Sequence, residues 1–73
     1  MSPKLPVIDA YELVKLLESH GFMRVKQKDS HLKLRSSDGT TIIVPVHSGK
    51  SIKPGLLLSI LNKAGIDVSE LRR

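Results

Sequence analysis

The first apolar side chains recur with the spacing of a helix. Four of them form one stripe on a helical surface: Ala10, Leu13, Val14 and Leu17. Asp9 stands at the N-cap position and Glu12 follows three residues later, as in a capping box. Gly21 favours a left-handed helix end. The pattern predicts a helix over residues 9–20, preceded by an extended lead-in, residues 1–8, that contains prolines.

From Phe22 onward the period changes to two, which is the spacing of a strand. Residues 23–26 and 31–35 each alternate apolar with polar side chains, so each run is predicted to be a half-buried strand. Residues 28–30 connect the two strands. Ser36-Ser37-Asp38-Gly39 is typical of a hairpin turn, because Asp-Gly tolerates positive φ.

A third strand is predicted over residues 40–46, where β-branched residues are dense. It is apolar on both faces, with Ile42 and Val44 on one side and Ile43 on the other. Pro45 has no N–H to donate to a neighbouring strand. Part of this strand is therefore expected to lie at a sheet edge or to be irregular.

A polar loop, residues 47–55, leads into a second helix from about Pro54 to Ala64, with Gly65 as its cap. The stripe of this helix consists of Leu57, Ile60, Leu61 and Ala64. Asp67 or Ser69 is expected to start a short terminal turn. The order predicts one α+β domain, residues 1–73, in which two helices cover one face of a three-stranded antiparallel sheet.

The charge of the chain is concentrated in its middle third. Twelve Lys and Arg against seven Asp and Glu give a net charge of +5, and residues 22–53 alone carry seven cations and two acids. Clustered positive charge indicates a polyanionic partner, and nucleic acid is favoured over a merely solubilising role.

The composition also narrows the class of protein. The absence of cysteine excludes disulfides and thiolate metal sites, and it fits a reducing cytoplasm. No apolar run approaches the roughly 20 residues that a membrane span needs. We therefore expect a soluble, intracellular domain that binds no membrane.

His31 is the strongest candidate for chemistry, because it opens a strand whose same face carries Lys33 and Arg35. If the first two strands pair as a hairpin, Arg24 and Lys26 lie alongside it. Cations would hold a phosphodiester and stabilise its transition state. An imidazole could move the protons, an effect worth about 10²- to 10⁴-fold in rate. The alternative is an exposed strand histidine without a role.

The other polar candidates are weaker. His20 lies at a helix end, where a capping role is favoured. His47 opens the polar loop and is either a supporting acid, base or phosphate donor or an anchor of the loop. Ser30 is disfavoured as a nucleophile because neighbours on a strand point to opposite faces, so a hydrogen bond in the turn is expected. Zinc binding is disfavoured without Cys or a close carboxylate pair.

Several segments in order resemble the HicA toxins, a family of small mRNA interferases from toxin–antitoxin pairs. Leu17-Glu18-Ser19-His20-Gly21-Phe22 is similar to the family's junction of helix and first strand. Gln27-Lys28-Asp29-Ser30-His31 resembles its segment ending in Gly-Ser-His, and Val44-Pro45-Val46-His47 resembles its Val-Pro-x-His strand end. Lys53-Pro54-Gly55 and the residues through Gly65 are similar to its second helix. The resemblance covers nearly the whole chain.

The resemblance implies a fold like that of double-stranded-RNA-binding domains and RNA cleavage without a metal or other cofactor. It also implies growth arrest and neutralisation by a HicB-type antitoxin that covers the active histidine. That histidine is His31 by position. Apart from the resemblance, the charge and position of the residues around it make the following the expected RNA-binding residues: Arg24, Lys26, Lys28, Ser30, Lys33, Arg35 and His47.

Two positions depart from the family pattern. Asp29 replaces the usual glycine and Leu56 replaces the common Thr. Aspartate tolerates left-handed backbone angles, but its charge repels phosphate. A weakened toxin is therefore one alternative. The same charge and fold also leave a non-catalytic double-stranded-RNA-binding module, and the third strand, apolar on both faces, leaves a pure protein-interaction domain.

Overall fold

The computed structural model describes residues 7–46 and 51–71. The elements follow the predicted order: helix α1 (Ala10–Ser19), strands β1 (Phe22–Lys28), β2 (His31–Ser36) and β3 (Thr41–Pro45), helix α2 (Pro54–Ala64) and a short 3₁₀ helix (Val68–Leu71). The predicted α+β architecture is thereby confirmed. The main difference in boundaries is that β1 runs to Lys28, which leaves a two-residue connection to β2.

Both helices end as their sequences predict. At the start of α1, the backbone N–H of Glu12 donates to the Asp9 carboxylate at 2.8 Å and the Glu12 side chain accepts from the backbone N–H of Asp9, forming a capping box. Helix α2 starts at Pro54 and is capped at its C-terminal end by Gly65, whose φ of 72° is left-handed. Within residues 7–46 and 51–71, no helix is long and apolar enough to cross a membrane.

The sheet is antiparallel in the order β1-β2-β3, so β2 is central and β3 lies at an edge, as Pro45 indicated. Both helices pack on one face and share a core with the inward side chains of β2 and β3. The largest fully buried side chains are Leu13, Leu17, Leu34, Leu57, Leu61, Val14 and Val44. No described element covers the opposite side, which we call the open face.

Strand β1 contains a bulge that the alternating pattern did not predict. Arg24 pairs with Leu34 and Lys26 pairs with Lys33, so Val25 is an extra residue between them. Directly paired residues share a face of the sheet. Phe22 and Arg24 therefore lie on the helix side, whereas Lys26 lies on the open face.

The prediction that β1 is a half-buried strand is wrong. Only Phe22 of this strand is buried, while Met23 and Val25 are 73% and 51% exposed. Phe22 and Lys28 are six residues apart and would share a face in a regular strand. One extra residue lets Phe22 enter the core while Lys28 faces solvent on the other side.

The predicted Asp-Gly turn between β2 and β3 is confirmed. Gly39 has a φ of 91°, and its N–H donates to the Ser36 carbonyl at 3.0 Å. The Asp38 carboxylate accepts from the Ser36 hydroxyl and, at 3.0 Å, from the backbone N–H of Thr40. These hydrogen bonds lower the pKa of Asp38 from 3.8 to about 2.

The lowered pKa of Asp38 predicts a defined pH dependence. A carboxyl that is more acidic in the folded chain stabilises the fold above its unfolded pKa of 3.8, and this contribution is lost as pH falls to about 2. The free energy of unfolding of the wild type should therefore approach that of Asp38→Asn across this interval. Denaturant unfolding at several pH values measures it. Ser36→Ala, which removes the largest cause, should reduce the effect, and an unchanged difference between the wild type and Asp38→Asn would contradict it.

Candidate active site on the open face of the sheet

A tight hairpin places His31 at the start of the central strand. Lys28 and His31 pair across the β1–β2 hairpin, which leaves only Asp29 and Ser30 in the turn. Asp29 has a φ of 55°, so the aspartate adopts the left-handed conformation for which glycine is the usual residue. On its other side His31 pairs with Pro45 of β3.

The turn is also fixed to the third strand. The backbone N–H of Val46 donates to the carbonyl of Ser30 at 2.7 Å. Ser30 thus contributes to the turn through its backbone carbonyl. This bond continues the β2–β3 pairing beyond Pro45 and holds the hairpin in place under His31.

The register arranges the open face as three rows across the strands. The first row consists of Lys28, His31 and Pro45, the second of Lys26, Lys33 and Ile43, and the third of Met23, Arg35 and Thr41. Five of these side chains line one shallow depression, which we call the His31 patch: Lys26, Lys28, His31, Lys33 and Ile43. An imidazole and three ammonium groups therefore share one solvent-exposed surface.

The cations of the His31 patch have no carboxylate partner among the described residues. The contacts found there between a basic side chain and a carboxylate join His20 to Glu70 and Arg24 to Glu18. Neither involves a residue of the patch. Since no carboxylate of the described residues competes for these ammonium groups, the patch is suited to bind an anion such as a phosphate.

Arg24 does not lie beside His31, contrary to the sequence-based prediction. It pairs with Leu34 on the helix side of the sheet, and its Nε donates to the Glu18 carboxylate of α1 at 3.2 Å. The bulge at Val25 is the cause, because it reverses the alternation between Arg24 and Lys26. Lys28 takes the place next to His31 that the prediction had given to Arg24.

One further predicted residue lies away from His31. Arg35 is on the open face but two rows along, and its Nε donates to the Thr41 hydroxyl at 3.4 Å. His47 lies outside the described residues. Ile43 also lines the patch, although it was not predicted as a site residue. The available signal was its position as an apolar residue on the outer side of β3.

His20 belongs to a different part of the molecule. It caps α1 through its backbone N–H, which confirms the predicted position, and its Nε2 lies 3.4 Å from the Glu70 carboxylate. It lines a second depression together with Ser36, at the opposite end of β2 from His31. Six strand residues span about 17 Å, so the two histidines cannot act on one phosphate.

Comparison with known protein families identifies the family of the chain. The family model described as HicA toxin of bacterial toxin-antitoxin matches residues 10–66, from the first residue of α1 to the buried Ile66. The match defines the class of protein, a toxin of a toxin–antitoxin system. Within that class the chain belongs to the HicA toxin family. None of the curated proteins searched matches the chain.

Proposed function

We propose that this protein is an endoribonuclease toxin that cleaves mRNA without a metal ion and uses His31 as general acid or base. The observation that carries the proposal is the exposed His31 imidazole in one depression with Lys26, Lys28 and Lys33. Membership of a family of ribonuclease-type toxins supports the same reaction. The cytoplasm, where mRNA is found, is the proposed location.

The proposed reaction is an internal transesterification. The 2′-oxygen attacks the adjacent phosphorus, forms a 2′,3′-cyclic phosphate and breaks the bond from phosphorus to the 5′-oxygen. The 2′-hydroxyl loses a proton and the leaving 5′-oxygen gains one. His31 takes the first proton when neutral or supplies the second when protonated, and water or a second group such as His47 completes the transfer.

The lysines of the His31 patch supply the electrostatic part of the mechanism. Charge accumulates on the non-bridging oxygens as the phosphorus becomes five-coordinate. Lys28 pairs directly with His31 and Lys33 is two residues along the same strand, so both ammonium groups can reach a phosphate that lies over the imidazole. Lys26 and Lys33 pair across the two strands. Their ammonium groups bind the RNA backbone next to the scissile phosphate.

The open face is also the proposed contact for a HicB-type antitoxin. A partner that covers His31 would exclude RNA and would have to match both the lysines and the exposed Ile43 and Met23, which are 51% and 73% exposed. Acidic side chains around an apolar centre would have that complementarity.

The test compares an RNA oligonucleotide with the same oligonucleotide carrying a single 2′-deoxy substitution at the cleavage site. The purified chain should cleave the first in the presence of EDTA, leave a 2′,3′-cyclic phosphate end, and fail to cleave the second because the nucleophile is missing. Binding of both without cleavage of either would replace the proposal by the non-catalytic RNA-binding alternative. Loss of cleavage in EDTA would refute the metal-independent mechanism.

Asp29 favours a second candidate, a toxin of reduced potency. The carboxylate is exposed and directly precedes Ser30 and His31 in the turn, at the edge of the lysine patch. Repulsion between two unit charges in water costs about 1 kcal/mol at 4 Å and less at longer range, which corresponds to a few-fold in affinity. The proposed toxin is therefore weaker than one with a neutral residue here.

Replacing Asp29 by Asn is predicted to tighten RNA binding a few-fold at low salt, because Asn tolerates the left-handed conformation and removes only the charge. The gain should fade at high salt. Fluorescence anisotropy with a non-cleavable oligonucleotide measures it, and Asp38→Asn at the other end of β2 is the matched control. Equal affinities of the wild type and Asp29→Asn would show that the charge does not face the bound RNA. Asp29→Gly separates any contribution of the backbone.

A further inference from the structure

The cations of the open face continue beyond the His31 patch in one direction along the sheet. Lys28 and His31 form the first row, Lys26 and Lys33 the second, and Arg35 stands in the third. Arg35 is exposed and lies in none of the ion pairs found among residues 7–46 and 51–71. The proposed cleavage at His31 makes no direct use of this third row.

The spacing of the rows fits the repeat of a nucleic-acid strand. Residues two apart on a strand are separated by about 6.6 Å, and adjacent strands by about 4.8 Å. The first of these distances is close to the separation of consecutive phosphates in an extended single-stranded backbone. Rows that each present a cation can therefore meet successive phosphates.

The shape of the surface favours one strand rather than a duplex. From β1 to β3 the open face spans about 10 Å, because only two strand spacings separate its edges. Domains that grip duplex RNA contact phosphates across about 16 base pairs. The described cations of the open face instead follow the direction of β2, which suits a single backbone.

The apolar side chains beside this line of cations match the same ligand. Ile43 flanks the second row on β3, and Met23 flanks the third row on β1. Both are exposed, so the bases of a strand whose backbone follows the cations can contact them. The single Phe is buried and the single Tyr lies on α1, so the open face offers no aromatic stacking platform.

We propose that the open face binds single-stranded RNA along β2, with the scissile phosphate at His31 and two further phosphate subsites, one at Lys26 and Lys33 and one at Arg35. This inference rests on the proposed function for the position of the scissile bond. Arg35 is a binding residue that contacts longer substrates only. Three contacted phosphates correspond to a salt dependence with a logarithmic slope of about −2, since each single-strand contact contributes about −0.7.

The test couples RNA length to side-chain replacement. Oligonucleotides made non-cleavable by 2′-deoxy substitution at the reactive position, with one, two or three phosphates on either side, are titrated by fluorescence anisotropy. Arg35→Gln should lower the affinity and reduce the salt slope by about 0.7 only when the third phosphate is present. Lys26→Gln should do so from the second phosphate onward. Lys15→Gln, on the exposed side of α1, removes the same charge and should leave the slope unchanged.

The outcomes separate this inference from the proposed function. If Arg35→Gln lowered the affinity equally at every length, or if a duplex bound more tightly than its single strands, the proposed phosphate subsites along β2 would be overturned. Circular dichroism of the variants shows that a loss is not unfolding. If the losses depended on length but the protein cleaved no RNA, the three phosphate subsites would be supported and the proposed nuclease activity would be refuted. Cleavage without any dependence on length would do the reverse.

Discussion

Replacing His31 by Ala should lower the rate of RNA cleavage by about 10²- to 10⁴-fold, the usual contribution of a general acid or base. The fold should be unaffected, because His31 is exposed and lies outside the hydrophobic core. Surface replacements of this kind change the free energy of unfolding by no more than about 0.5 kcal/mol. Single-turnover cleavage with excess protein and thermal unfolding measure the two quantities.

His20 provides the matched control for this replacement. It is also an exposed histidine, but its ring lies near Glu70 at the other end of β2. His20→Ala should therefore keep the cleavage rate while His31→Ala loses it. If His31→Ala cleaved as fast as the wild type, the imidazole would have no part in the reaction and the lysines alone would explain binding. Expression of both variants under tight induction extends the comparison to growth arrest and mRNA integrity.

Periodicity was sufficient to predict the layers of the fold, because each helix and the central strand have one clear apolar side. Leu32 and Leu34 are buried as alternation requires, and Leu57, Ile60 and Leu61 form the buried stripe of α2. The two capping signals, Asp9 with Glu12 and the left-handed Gly65, set helix ends to within a residue. In these elements the capping residues and the apolar stripe indicate the same helix or strand.

The candidate site was less predictable because it depends on register between strands. His31, Lys33 and Arg35 share a face by simple alternation on β2, and this part of the prediction is confirmed. The cross-strand neighbours depend on where β1 is irregular, and so Arg24 was placed on the wrong face. The sequence does contain an indication of the bulge. Phe22 is apolar and Lys28 is charged, although residues six apart would lie on the same face of a regular strand.

The bulge at Val25 allows Phe22 to lie in the core while Lys26 and Lys28 lie on the open face. Its removal should therefore lower either the stability of the fold or the affinity for RNA. Deleting Val25 makes β1 regular and forces a choice. If Lys26 and Lys28 stay on the open face, Phe22 leaves the core, and loss of a buried Phe costs about 3–5 kcal/mol. If Phe22 stays buried, the lysines turn to the helix side and the His31 patch loses two cations.

The expected loss of stability is large for a chain of this size. Typical stabilities of about 0.05–0.15 kcal/mol per residue give about 4–11 kcal/mol for 73 residues. The deletion should thus remove a large part of the free energy of unfolding, as measured by denaturant titration, or leave a folded chain with much weaker RNA binding. Val25→Ala is the control, because it keeps the extra residue and alters only an exposed side chain. A deletion variant that matched Val25→Ala in both stability and RNA affinity would show that the register of β1 does not hold Phe22 and the lysines on opposite faces.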